Sequence, residues 1–240
     1  MVDNLRVVIA AAGAGKRMGA GINKQYLLLG SRPLLCYCLD VFQLSPLVDS
    51  IVVVTGSQEV EYCREKVIRP YNYTKVCEVV AGGPERQDSV KTGLAILGND
   101  TDLVAIHDGA RPFITTSLLE SLYLAASCYG AAIPGVPVKD TIKRFDQDGF
   151  VDHTINRAEV YAVQTPQIFK YQILRQAYEK AEKEGLYGTD DASLVERLGG
   201  RIKTIPGDYR NIKITTPDDL DYACYLLSCR QGGKGEKNCV

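Results

Sequence analysis

The sequence predicts an α/β fold: a mostly parallel, twisted sheet with helices on both faces and a protruding β-hairpin arm. Three observations carry this expectation. Short apolar runs alternate with segments of helical period in the order β-α-β-α-β-α-β-α, which calls for parallel strands joined by helical crossovers. Small or acidic turn residues (Gly13, Gly82-Gly83, Asp108-Gly109) follow three of the strand-like runs, where ligands bind in such sheets. The rhythm then breaks into two polar, extended runs joined by Asp146-Gln147-Asp148-Gly149, a hairpin signal.

Taken in order, Leu5–Ala11 reads as a buried strand and Leu34–Leu44 as a helix. Ser50–Thr55 is a β-branched strand, and Gln58–Ile68 is expected to be helical. Val76–Val80 leads into Gly82-Gly83. Gln87–Leu97 repeats apolar residues at helical spacing through Val90, Leu94 and Leu97. Leu103–His107 is a strand ending in Asp108, and Leu118–Ala126 is a helix. Val138–Phe145 and Phe150–Ile155 form the arm. A polar hairpin has little core of its own, so this one is expected to pack on another surface, most simply a second subunit. A strand at Tyr161–Gln164, a helix at Gln172–Glu184, a helix from Asp190, and strands at Arg201–Ile205 and Ile212–Ile214 follow. Thr216-Pro217-Asp218-Asp219 opens the last helix with a hydroxyl cap, a first-position proline and acids in the first turn. Residues 1–230 are read as one domain with the arm at 138–157, and the Gly/Lys-rich residues 231–240 as a disordered tail.

Composition narrows the function. With 28 basic and 29 acidic residues the net charge is −1, so bulk electrostatics favour neither nucleic acid nor an anionic membrane. No apolar run is long enough to span a bilayer. The first strand starts near Leu5, which argues against a signal peptide. The eight cysteines form no C-x-x-C pair, consistent with reduced thiols and a cytoplasmic location. His107 and His153 are the only histidines, which excludes a His-rich zinc centre.

The most informative stretch runs from Val7 through Gly13, Gly15, Lys16, Arg17 and Gly19 to Asn23-Lys24-Gln25. Small residues let a backbone approach a ligand, and consecutive N–H groups near a helix start attract anions. With Lys16, Arg17 and Lys24, the segment suits a polyphosphate. A Walker P-loop is excluded, because Ala10 holds the leading glycine position and Arg17 the hydroxyl position. The glycines are spaced one residue too long for a dinucleotide fingerprint. A nucleotidyltransferase loop, clamping a nucleoside triphosphate with Arg and Lys, remains, against an ordinary strand-to-helix turn with solvated charges.

Further clusters add to it. Gly82-Gly83-Pro84-Glu85-Arg86-Gln87-Asp88-Ser89 permits close approach to a base or sugar, with Arg86 able to reach phosphate; the alternative is a capped helix start. Asp108, at a strand end, suits Mg²⁺, which takes one or two carboxylates plus phosphate oxygens. Its alternative is a turn aspartate, while Arg111 is placed for an anionic group and His107 reads as structural. At the base of the arm, Asp140, Thr141 and Arg157 could meet a phosphate or simply solvate an edge. Lys213, between two isoleucines, could point into a cleft.

The order AAAGxGxRMG…KQY, GGxxRQDSV, HDGARPF, PVKDTIK, NR, QTPQ, TDDASL and NIKITTPDDL, from about Val7 to Leu220, resembles the 2-C-methyl-D-erythritol 4-phosphate cytidylyltransferase family. The resemblance implies a Rossmann-like nucleotidyltransferase whose arm interlocks with a second subunit as a homodimer. It implies CTP and a polyol phosphate as substrates and Mg²⁺ as cofactor. Arg17 and Lys24 would stabilise charge on the α-phosphate and the leaving pyrophosphate. Lys213 and Arg157 would position the methylerythritol phosphate, supported by Arg111, Thr141, Thr165 and Thr189, with Arg157 and Thr141 lent by the neighbouring subunit. Ala11, Ala12, Gly13, Gly83 and Ser89, with Gly15, Lys16 and Arg86, would hold the nucleotide, and Asp108 the metal. Two residues depart from the family pattern: Asn23 stands where proline usually precedes the loop lysine, and Pro84 where an acid is common. The rivals are a ribitol 5-phosphate cytidylyltransferase, an NAD(P)-dependent oxidoreductase and a catalytically silent interaction module. Thr141 and Asn156-Arg157 weigh against the first. The absence of a suitably spaced acid beyond the glycines weighs against the second, and the retained cations against the third.

Overall fold

Side-chain alternation along β1 (Leu5–Ala11) decides which helices pack where: Leu5, Val7, Ile9 and Ala11 belong to one apolar layer, Val8 and Ala10 to the other. The structure, a computed structural model, describes residues 3–13 and 23–232. Gly15, Lys16, Arg17 and residues 233–240 of the expected tail lie outside the described residues.

After β1 come a two-residue ribbon, β2 (Leu28–Leu29) with β3 (Arg32–Pro33), then α1 (Leu34–Leu44), β4 (Val48–Thr55), α2 (Val60–Cys63), β5 (Val76–Ala81), α3 (Arg86–Ile96), β6 (Leu103–Asp108) and α4 (Thr116–Tyr129). The second half adds β7 (Ala131–Pro137), the arm strands β8 (Ile142–Phe145) and β9 (Val151–Ile155), β10 (Tyr161–Val163), β11 (Gln167–Lys170), α5 (Tyr171–Lys183), α6 (Asp191–Arg197), β12 (Lys203–Pro206) and α7 (Pro217–Gly232). Among the described residues, eight strands form one sheet in the order β10-β7-β11-β6-β1-β4-β5, with β12 beside β7. β1, β4, β5 and β6 are mutually parallel; β11 and β10 run against their neighbours, so the sheet is mostly parallel, as expected. Helices α1 and α4 cover one face, with Leu39, Phe42, Leu119 and Leu122 fully buried, and α3, α5 and α6 cover the other through Val90, Leu174 and Val195. Each such side chain contributes roughly 1.5–3 kcal/mol through burial.

Several expectations are corrected. β7 and β11 were not foreseen: AAIPGVP reads locally as a turn, yet burial within the sheet holds it extended. Residues 58–68 are not one helix but a 3-10 turn (Ser57–Glu59), α2 and a wider π-type turn (Arg64–Ile68). Ile212–Ile214 is not a strand. Ile214 N–H donates to the Ala110 carbonyl at 2.9 Å, but no ladder forms, and Ile214 is buried instead in a third cluster with Leu29, Phe113 and α7. The last helix runs on to Gly232, so residues 231–232 are helical rather than tail. Its cap is the expected one: Thr216 Oγ1 accepts from Asp219 N–H at 3.3 Å.

One glycine in α3 sets how closely that helix lies on the sheet. A Cβ at Gly93 would stand 2.4 Å from Val8 Cγ1 and 3.1 Å from Val54 Cγ2, both on branched, buried side chains. Gly93→Ala is therefore expected to destabilise by about 1–3 kcal/mol through overpacking, despite alanine's better helix propensity. A lower midpoint in urea unfolding checks this.

Candidate active site

Because β1, β5 and β6 are parallel, their carboxyl ends share one rim. Register pairs Ala10 with Asp108 and, through β4, Ala11 with Thr55 and Thr55 with Ala81. The exits of three strands are thus brought side by side. Gly82 makes this possible: a Cβ there would meet Ser89 Oγ at 2.4 Å and Ala12 Cβ at 2.8 Å. The chain then enters α3, capped by Glu85, whose N–H donates to Asp88 Oδ2 at 3.1 Å. Both readings of this segment therefore coexist, a capped helix start and a cavity wall.

A cavity of about 230 Å³ opens at this rim. Ala11, Ala12 and Gly13 line one wall, and Gly83, Arg86 and Ser89 another. Lys24, Asp108 and Lys213 face the same space. Residues that the sequence reading did not select also line it, among them Gln25 and Glu85.

Asp108 is the electrostatic centre. Its Oδ1 accepts from Arg86 Nε at 2.9 Å, its Oδ2 pairs with Lys213 Nζ at 2.7 Å, and Arg111 Nε lies 3.9 Å away. Burial pushes the Asp108 carboxyl up, but Arg86 and Lys213 outweigh it and hold the group well below the usual carboxylate range. Arg86 reaches on to Asp191 Oδ2 at 2.8 Å, and Tyr178 Oη donates to Asp191 Oδ1 at 2.6 Å. Burial works against the Arg86 charge; Asp191 and Asp108 overcome it and raise its pKa. Lys24, on a 3-10 turn (Lys24–Tyr26), donates to the Ile214 carbonyl at 3.1 Å, next to Lys213.

Thr165 and Arg111 sit behind the cavity wall. Thr165 Oγ1 accepts from Asp108 N–H at 3.0 Å and bonds His107 Nδ1 at 3.1 Å. Arg111 donates to the Asn211 carbonyl at 2.8 Å. His107 is fully buried, and burial pushes its pKa down to about 4, so it is neutral near pH 7 and acts as packing and hydrogen-bond support. Thr141 and Arg157 lie on the exposed arm and Thr189 on an exposed loop; none of the three lines this cavity. Arg157 Nη1 donates to the Lys139 carbonyl, within the arm base.

Asp191 is the residue that sequence reasoning missed most clearly. It lies in the TDDASL cluster, a polar stretch from which only a helix starting near Asp190 was expected; Asp190 is that helix's cap. That the next residue turns inward to Arg86 depends on α6 docking against α3's start.

The chain resembles known proteins over nearly its whole length. The pattern of the IspD family, 2-C-methyl-D-erythritol 4-phosphate cytidylyltransferase, matches residues 5–228. A protein of that name from Geotalea uraniireducens is 52% identical over 215 residues, covering 89% of this chain and 92% of the relative. One from Syntrophotalea carbinolica is 52% identical over 222 residues, covering 92% and 95%. The crystal structure of 4-diphosphocytidyl-2C-methyl-D-erythritol synthase from Anaerococcus prevotii superposes with a TM-score of 0.84 at 32% identity, covering 94% and 96%. With the family pattern spanning residues 5–228 and relatives of that name half identical over most of their length, the chain belongs to the 2-C-methyl-D-erythritol 4-phosphate cytidylyltransferase family.

Proposed function

We propose that this chain joins CTP and 2-C-methyl-D-erythritol 4-phosphate to give 4-diphosphocytidyl-2-C-methyl-D-erythritol and pyrophosphate, a step of non-mevalonate isoprenoid biosynthesis. The observation that carries this reading is the convergence of Lys24, Arg86 and Lys213 on one cavity with Asp108, in a chain of net charge −1. Two polyanions must meet, and positive groups are concentrated where the glycine loop begins.

The chemistry needs no protein nucleophile. A phosphate oxygen of the methylerythritol phosphate attacks the α-phosphorus of CTP, a new P–O bond forms, and the bond to the bridging oxygen breaks with its electrons leaving on pyrophosphate. Catalysis is then orientation and charge stabilisation. Lys24 and Arg17 stabilise the α-phosphate and the leaving group. Lys213 and Arg157 orient the attacking phosphate, with Arg111, Thr141, Thr165 and Thr189 in support. Ala11, Ala12, Gly13, Gly15, Lys16, Gly83, Arg86 and Ser89 hold the nucleotide; Ala11, Ala12 and Gly13 leave room for a flat base.

A divalent ion such as Mg²⁺ fits as a substrate-held ion. Among the described residues no group of three or more His, Cys, Asp or Glu could hold a metal. Asp108, whose two oxygens pair with Arg86 and Lys213, would offer one carboxylate by exchanging one of these partners, and Mg²⁺ takes one or two carboxylates plus phosphate oxygens and water. Bound there, it would neutralise triphosphate charge.

The reading also includes one nucleotidyltransferase unit over residues 1–230, a homodimer through the arm and a cytoplasmic location. The arm strands β8 and β9 are a separate two-stranded ribbon with Phe145, Phe150 and Val151 exposed, which suits docking on a second copy. A cavity of about 230 Å³ is below the ~300–1,000 Å³ usual for ligand pockets, so part of the substrate pair would rest on groups from elsewhere. Among the described residues seven cysteines are free thiols, which suits a reducing compartment.

Pyrophosphate release from CTP, assayed with methylerythritol phosphate, with ribitol 5-phosphate and with neither, tests the reading. Release only with methylerythritol phosphate is expected; preference for ribitol 5-phosphate, or no CTP binding, would overturn it. Arg157→Ala is expected to raise KM for the polyol phosphate by roughly tenfold or more, since one charge-assisted pair to phosphate is lost. The thermal midpoint should stay close to the parent's, because Arg157 is exposed.

A further inference from the structure

The residues on either side of Lys24 are held by one carboxylate that lies outside the cavity lining. Glu59 ends the 3-10 turn after β4, and its side chain gathers donors from three directions. Asn23 Nδ2, immediately before Lys24, donates to Oε1. Gln25 Nε2, immediately after it, donates to Oε2 at 3.2 Å and also to the Ala11 carbonyl at the end of β1. Thr55 Oγ1 donates to Oε2 at 3.0 Å, and Tyr26 Oη meets Thr55 Oγ1 at 2.6 Å. Gly56 N–H completes the set at 3.2 Å. Asn23, Gln25 and Tyr26 therefore all lead to Glu59, and Gln25 also ties the exit of the glycine loop to its entrance. All these donors are neutral, and hydrogen bonds to an ionised acceptor are the stronger kind.

We infer that Glu59 is the positioning residue of Lys24, fixing where the glycine loop returns to the sheet, and that Asn23 holds by a side-chain bond the geometry a proline would hold covalently. Asn23 has φ −62° and ψ 141°, values that a proline ring adopts without strain. The consequence for catalysis rests on the function proposed above; the tether itself does not.

Glu59→Gln is the sharpest test, because it keeps size and shape. An amide has one acceptor oxygen, so its NH₂ faces either the Gln25–Thr55–Gly56 side, where the Gly56 N–H then loses its acceptor, or Asn23, whose amide must turn over to present its oxygen. Two measurements are made on the full chain: hydrogen exchange of the 24–29 segment, and pyrophosphate release from CTP with methylerythritol phosphate. Glu59→Gln is expected to speed exchange of that segment by about tenfold. It should lower kcat by on the order of tenfold to a hundredfold, the effect of a displaced catalytic group, while KM for CTP changes far less. Asn23→Ala should move both readouts in the same direction by less, and Asn23→Pro should restore them relative to Asn23→Ala. Parent-like exchange in Glu59→Gln and Asn23→Ala would overturn the tether, whatever the enzyme's substrate. Faster exchange with parent-like kcat would overturn the positioning role. A parent protein inactive on CTP would defeat the proposed function and the positioning role with it, and leave the exchange result to judge the tether.

Discussion

Arg86→Ala is expected to be the most destabilising single change at the site. The guanidinium lies between Asp108 at 2.9 Å and Asp191 at 2.8 Å. Both carboxylates are buried, and Asp191 is fully so. Removing the cation leaves Asp191 with the Tyr178 hydroxyl as a neutral donor, and leaves Asp108 with Lys213 and the more distant Arg111. Breaking a buried pair from one side costs about 3–5 kcal/mol. Typical domain stability is about 5–15 kcal/mol, so a large share would be lost. The urea midpoint should fall accordingly. Arg86→Met combined with Asp191→Asn should recover part of the loss, since the stranded charge is then gone. A midpoint within experimental scatter of the parent's in Arg86→Ala would refute this view of the pair.

Lys213→Ala is expected to act on rate rather than stability. The Lys213 side chain is 37% exposed, and its pair with Asp108 at 2.7 Å is open to solvent on the lysine side, so its contribution to folding is small. In the proposed reaction it faces the attacking phosphate. Loss of one preorganised electrostatic donor costs about 2–4 kcal/mol in the barrier. At about 1.36 kcal/mol per tenfold, kcat falls on the order of thirtyfold to a thousandfold. Lys24→Ala should fall in the same range. Pyrophosphate release at saturating substrates measures both, with the thermal midpoint as the control for folding. Turnover near the parent's in both variants would remove these lysines from the mechanism.

The two predictions differ because of where each cation sits. Arg86 is enclosed by carboxylates from β6 and α6, so its charge is part of the fold. Lys213 and Lys24 border the same cavity as Arg86, but among the described residues neither is enclosed between two buried carboxylates. Their types alone did not distinguish these roles, and the sequence reading placed Arg86 with the nucleotide. Its two ion pairs add a bracing role that depends on α6 reaching the start of α3.

Much of the architecture was written in local patterns. Hydrophobic period placed β1, α1, β4, α3 and β6 to within a few residues, and Asp-Gly marked the arm, where Gly149 takes φ +87°. Glycine and aspartate at strand exits marked the rim that the parallel register then assembled. These signals survive without tertiary knowledge because each reflects a residue's own steric or hydrogen-bonding preference. β7 escaped notice because Pro134 and Gly135 have turn-like preferences that burial overrides. Ile212–Ile214 misled because an Ile-Lys-Ile alternation is also what a single buried loop residue beside a cluster produces.

Residue chemistry along the chain was thus enough to name the kind of fold, the rim where a phosphorylated ligand would sit and most of the charged groups around it. Folding alone settled which of the cavity's cations also braces the fold. It brought Asp191 to Arg86 across 105 positions and Glu59 to Asn23 across 36. The physical reason is that an ion pair's role depends on the distance and burial of its partner, and both are properties of packed elements rather than of neighbours in the chain.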